Sequence, residues 1–417
     1  MSRSRNAIQA FIWTGLLLGL AVVLIGLFSS AGESQTTGQL QQTREPVPPT
    51  DTAATKTLEP TLVSATTTST AGPETQPAAT PRVRPAGILF ESTGELYWQS
   101  VDQEGRPLSA VTRAPVNLAP GSKIGKLLPA PDGSQIAYEV YSLPPEGCCE
   151  LQAALYVFSP PDGQPRQIEA FAPVAKIFGW HPNSQQLIYG GEDGTIGLFD
   201  VSTGQRTTIG QAQKWADLPY GPQIDSVAFS PDGMRLIASY TLTGQSWEVW
   251  TVNADGSEPQ LLFKADYPIA GIAWSPDGQS IAFVGNGVEV ISADGKNRKT
   301  VGHDFIGGAS PAWSPDSRYI VFTAAETLPE NDDNFKGYKI RIVDITNGTE
   351  RNLVDDTSGG EILPVWSPSG SQVLFLSDRS GTSEVWTISL DSAELRQLTS
   401  DGQPKRFTPV WLPAVGR

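Results

Sequence analysis

Two cysteines, two histidines and two methionines in 417 residues leave this sequence short of the side chains that most often hold transition metals or carry redox chemistry. A zinc cage built from Cys and His is excluded, as is a scaffold stapled by several disulfides. Charged residues amount to only 18%, and the positive ones are scarcer: 29 Lys and Arg stand against 44 Asp and Glu, for a net charge of −15. A chain of that sign repels phosphate backbones, so the electrostatic footprint of a nucleic-acid binder is missing. No Gly-x-Ser-x-Gly pentapeptide occurs, which removes the nucleophile elbow of the α/β-hydrolases. What the chain has in quantity is 41 Gly, 34 Pro and 11 Trp, the composition of folded β structure with many turns.

Long apolar runs are also rare, and the one that exists is terminal. Residues 10–28 read AFIWTGLLLGLAVVLIGLF without a charge. As a helix of about 1.5 Å per residue this stretch is about 28 Å long, enough to span a bilayer. Arg3 and Arg5 precede it, so the positive-inside rule predicts a cytoplasmic segment 1–9 and an exported body. A signal anchor over 10–28 is the preferred reading; a cleaved signal peptide ending near Ser29-Ser30-Ala31 is the alternative. Residues 29–85, rich in Thr, Pro, Ser, Ala and Gln and without hydrophobic period, read as a disordered stalk. Residues 1–85 carry six basic and five acidic side chains, so the remaining segment holds a net charge of −16.

From residue 86 onward one short signature recurs. It reads Ala-Pro-Asp-Gly at 130–133, Trp-His-Pro-Asn-Ser at 180–184, Phe-Ser-Pro-Asp-Gly at 229–233 and Trp-Ser-Pro-Asp-Gly at 274–278. Trp-Ser-Pro-Asp-Ser at 313–317, Trp-Ser-Pro-Ser-Gly at 366–370 and Trp411-Leu412-Pro413 complete the series, with prolines spaced by 51, 49, 45, 39, 53 and 45 residues. Ser-Pro-Asp-Gly suits a tight turn, because Pro presets φ, Asp bonds nearby backbone and Gly accepts positive φ. Each turn is followed by a buried-type apolar strand such as Ile281–Val284, an alternating strand such as Trp247–Val252 and a more polar one such as Leu395–Thr399. Four antiparallel strands per period, repeated radially, predict an all-β propeller of seven blades, or six if one blade is degenerate. Val410–Leu412 has no following partner and Gly87–Phe90, Glu95–Asp102 and Pro107–Val111 have no preceding one, so the two ends are expected to close a single blade.

The segments Trp274–Phe283 and Trp366–Thr399 resemble the TolB-like, WD-repeat-like propeller repeat, and the resemblance covers residues 86–417. It implies a propeller fold and no particular chemistry. A small α/β domain precedes TolB propellers; here an anchor and a stalk are expected in that place.

In a four-stranded blade the turns after strands one and three share one face, and the connections after strands two and four share the other. Tight Pro-Asp-Gly-type turns fill the first face, and the long irregular segments fall on the second, the usual place for binding on a rigid scaffold. Trp215, Tyr220, Tyr267 and Phe305 are candidate aromatic anchors there, or ordinary caps of blade ends. His303 beside Asp304 is the candidate acid–base pair, with an exposed loop histidine as the plainer reading. Asp332 and Asp333 are candidate calcium ligands, although the spacing departs from an EF-hand and a solvated acidic loop is the plainer reading. Cys148 and Cys149 can form a vicinal disulfide, stay free or pair between molecules. His181 replaces Ser in a turn and is expected to be structural.

Three functions are compatible with this pattern. The leading one is a membrane-anchored, extracytoplasmic scaffold that binds a protein or an envelope polymer without catalysing a reaction. The others are a hydrolase or lyase using acidic residues in the propeller funnel, with calcium as its one candidate cofactor, and a structural assembly component.

Overall fold

The computed structural model describes residues 84–118, 121–142, 152–168, 176–190, 195–211, 223–242, 246–302, 311–325, 337–355, 358–405 and 407–415. The 10–28 and 29–83 segments lie outside this set, and no helix long and apolar enough to cross a membrane occurs among the described residues. The strands form seven four-stranded antiparallel sheets, each one blade of a propeller. Blades one to six start with Lys123–Pro129, Lys176–Trp180, Gln223–Phe229, Ala270–Trp274, Ala312–Trp313 and Glu361–Trp366 and take their strands in chain order. Blade seven is composite, with strand order Val410–Leu412, Gly87–Ser92, Glu95–Ser100 and Thr112–Arg113.

The fourth strand of that blade is Thr112–Arg113 and not the expected 107–111. Leu108 is 62% exposed, and the segment meets the end of strand three through the Val101–Pro107 bridge, Leu108 N to Ser100 O at 2.8 Å and Ser100 N to Ser109 Oγ at 3.1 Å without extending into a ladder. The two ends of the chain do meet: Gly87, Ile88 and Leu89 pair with Leu412, Trp411 and Val410. The seam is extended by Arg84 and Val415, whose backbones exchange hydrogen bonds of 2.8 and 2.9 Å.

There is no single central core. Apolar side chains gather into seven clusters, each filling the seam between neighbouring blades, as Val290, Val301, Trp313, Phe322 and Val343 do between blades four and five. Strand two is therefore buried on both faces, and a fully buried side chain such as Phe322 contributes about 1.5–3 kcal/mol.

The repeated signature fastens these seams. In blade four Ser275 Oγ donates to Asp277 Oδ1 at 2.5 Å and accepts from Ser280 N at 2.9 Å, Gly278 N bonds Ser275 O, and Gly278 sits at φ +70°. The tryptophan two residues before the proline reaches backward: Trp180, Trp274, Trp313 and Trp366 donate Nε1–H to the carbonyls of Leu128, Ala228, Ala273 and Ala312 in the preceding blade. Where Ser replaces the turn glycine, Ser184 and Ser317 hold φ of +58° and +61°. Their hydroxyls accept from Asp132 N and Asp277 N of the preceding blade at 3.1 and 3.0 Å, which offsets the left-handed conformation.

We call the face bearing these signatures the turn face. The opposite face, where strands two pass to strands three and strands four pass to the next blade, is the loop face.

Candidate functional site

Strand three begins at the loop face, and in three blades its first residues include a buried glutamate. Glu248 and Glu384 occupy the same register, paired with Tyr240 and Ser377; in blade five that register holds Lys339, opposite Ala324. Glu289 sits two residues deeper, opposite Phe283. A carboxylate removed from water needs a cation or several donors, and each of these has them.

Glu384 accepts from Gly402 N at 2.9 Å and Thr399 Oγ1 at 2.5 Å, and lies 3.3 Å from the ammonium of Lys405. Lys405 is only 1% exposed, donates also to Asp401 Oδ1 and Gln403 O, and is tied by its backbone to Ser383. Glu289 accepts from Tyr267 Oη at 2.8 Å and Arg298 Nε at 2.8 Å, while the guanidinium lies over the Phe263 ring at 4.2 Å. Glu248 accepts from Trp250 Nε1 at 2.8 Å and pairs with Lys264. At the seam of blades five and six, Glu361 is fully buried between Lys339 and Arg379, at 3.0 and 2.8 Å. Burial pushes the Glu361 carboxyl up from its ordinary range, against the opposing pull of Lys339. All these groups are consumed in ties between strands and connections, and none is paired as nucleophile and base.

Tyr267 is half-buried here, its phenol shared between Glu289 and Arg298 and pushed up to about 12, first by burial and then by the Glu289 bond. Its ring is part of a tie at the seam of blades three and four. Trp215, Tyr220, His303, Asp304, Phe305, Asp332, Asp333, Cys148 and Cys149 lie outside the described residues. Among the described residues no group of three or more His, Cys, Asp or Glu side chains is arranged to hold a metal ion. His181 packs on the Phe229 ring at 4.6 Å and accepts from Asn183 N at 3.1 Å on the turn face.

Sequence reading does not find Arg84, Glu361 or Lys405. Arg84 falls among residues that read as tether, yet it is buried beside Trp98 and donates to Gly133 O and Pro413 O at 2.8 and 2.9 Å. Burial lowers its guanidinium to about 10. The only prior signal for such residues is a charge inside or beside an otherwise apolar strand, as with Glu384 before Val385-Trp386.

With this geometry the chain can be compared with known proteins. Residues 245–415 match the family described as TolB beta propeller domain. A tricorn protease homolog of Saccharolobus solfataricus is 30% identical over 121 residues, 26% of this chain and 11% of that protein. The chain thus spans about a tenth of that relative's length. Among solved structures, tricorn protease superposes with TM-score 0.52 at 12% identity, covering 82% of this chain and 37% of that one. An oligogalacturonate lyase in complex with manganese superposes with TM-score 0.51 at 11% identity, covering 78% and 89%. The architecture is a seven-bladed TolB-like propeller, and likenesses at these identities define the fold alone.

Proposed function

We propose that this chain is a non-catalytic binding scaffold, anchored in a membrane through residues 10–28, whose loop face engages a protein or an envelope polymer outside the cytoplasm. The observation that carries this reading is the state of the titratable groups at the described loop-face ends. Glu248, Glu289, Glu361 and Glu384 are each paired with a cation of the same chain, which suits a rigid platform better than acid–base chemistry. The connecting segments add charge for a partner: Glu146, Glu150, Glu192, Asp193, Glu326, Glu330, Asp332 and Asp333 fall between strands two and three, with Lys336 the one basic residue among 143–151, 191–194 and 326–336. A partner with a basic surface is favoured, and its association slows as salt rises.

Photo-cross-linking in cells tests this. A benzophenone amino acid at the exposed loop-face positions Thr93, Asp266, Asn286 or Ser380 is expected to capture one recurrent partner. The same probe at Met234, Asp255 or Lys296 on the turn face is expected to capture none. Equal capture from both faces, or capture from the turn face only, overturns the assignment.

A further inference from the structure

Side chains close the outer turn-face seams of several blades in one recurring way. A cation or amide of one blade donates to a carbonyl just beyond strand three of the next: Arg166 to Val201, Arg235 to Ala293 at 3.5 Å, Lys299 to Ile345 at 3.0 Å, and Gln372 to Glu104. The seam between blades five and six breaks this pattern. Arg351 is the blade-five counterpart of Lys299, but its guanidinium turns to Asn352 O at 3.1 Å, and among the described residues no side chain of blade five bonds the Leu390 carbonyl. A cleft of about 530 Å³ lies at this seam, within the about 300–1,000 Å³ usual for small-molecule sites; the tied seam of blades three and four holds one of about 550 Å³, so the unengaged lining and not the volume sets this seam apart.

We propose that this cleft is a binding site for a saccharide unit, independent of the loop-face reading. Arg351 and Asp391 line it as exposed charges, and Asp391 has no hydrogen-bond or ion-pair partner among the described residues. The Ser369 and Ser371 hydroxyls, 2.8 Å apart, and Thr349 add donors and acceptors. Ile342, Leu390 and the Tyr319 ring supply an apolar patch beside them. A hydroxyl-rimmed ring with C–H faces meets both halves of this lining: vicinal hydroxyls suit the free carboxylate, ring oxygens suit the guanidinium, and the C–H face covers the apolar patch. Other ligand classes fit less well. Asp316, Asp344 and Asp391 disfavour an anion. The Asp316 and Asp344 carboxylates are already bound to Ser314, Thr346 and Arg318, which leaves no converging set for a metal ion.

Saturation-transfer NMR on the full chain in detergent tests this, with glucose, N-acetylglucosamine and its β-1,4 disaccharide as probes and inorganic phosphate and spermidine as class controls. The expected result is saturable transfer from at least one sugar, lost in Asp391→Ala and in Arg351→Ala and kept in Asp255→Ala, a turn-face carboxylate in another blade. Unchanged circular dichroism and melting keep a folding defect apart from loss of binding. No saturable sugar signal, a signal that survives both cleft substitutions, or saturable phosphate or spermidine binding with no sugar binding overturns the proposal. Loop-face cross-linking is unaffected by any of these outcomes.

Discussion

Single residues set the tightness of the seams. Trp313 spends its indole N–H on Ala273 O at 3.2 Å while its ring fills the seam of blades four and five. Trp313→Phe keeps most of the ring and removes that bond between blades; the expected loss is about 1 kcal/mol in urea unfolding, against about 3–5 kcal/mol for Trp313→Ala. His181 gives a pH signature. Burial lowers its pKa in the folded chain, so unfolding takes up a proton that the native state resists. The stability it contributes is present above the unfolded value of about 6.5 and is lost as pH falls from there towards the lower folded value. Denaturation midpoints measured from pH 7.5 to 5 are expected to decline, and His181→Gln is expected to flatten part of that decline. The sequence predicts the structural role of His181 because it stands in a turn position. It gives no hint of Arg84, whose neighbours in the chain read as tether while its partners Gly133 and Pro413 lie 49 and 329 residues away.

At the scale of elements, legibility follows the range of the interaction. Turns and strands rest on local chemistry, and the Pro-Asp-Gly-type marker with the apolar run after it places strands one and two of blades one to six. Strand four is largely exposed, as in Thr349–Asn352, and carries little pattern; this is why 107–111 resembles a strand when 112–113 is one. The buried ion pairs are illegible for a related reason. Lys405 lies in a polar connection, and only the fold brings Glu384 beneath it. Lys405→Met leaves Glu384 buried without its cation and is expected to cost about 3–5 kcal/mol. The double variant Lys405→Met/Glu384→Gln is expected to recover part of that loss, and a double-mutant cycle by chemical denaturation reads the coupling. At the ring's closing strand, deletion of 410–415 removes the pairing partners of 87–89 and of Arg84. The truncated chain is expected to lose the cooperative transition and to expose the edge of Gly87–Ser92 to protease and to aggregation.

The sequence reads as two designs, a tether before residue 86 and a ring after it, and the described residues are those of the ring. The closing blade brings Arg84 and Val415 together on the turn-face side, since Arg84 immediately precedes strand two and donates to the carbonyl of the Gly133 turn. In the proposed arrangement an anchor at residues 10–28 therefore attaches to the turn face, and the loop face is the one opposite the attachment. The number of blades is readable as seven markers; the ligand is not, because binding specificity resides in side chains of the connections, which no repeat constrains. The central claim, that the loop face is the working surface, is tested most directly by amide hydrogen exchange of the full chain in its native envelope against the purified chain. The account predicts slower exchange in the envelope at the loop-face hairpins around 92–95, 284–288 and 377–384, with the turn-face hairpins around 200–206 and 253–260 unchanged. Identical exchange at all three loop-face hairpins in the two preparations would contradict it.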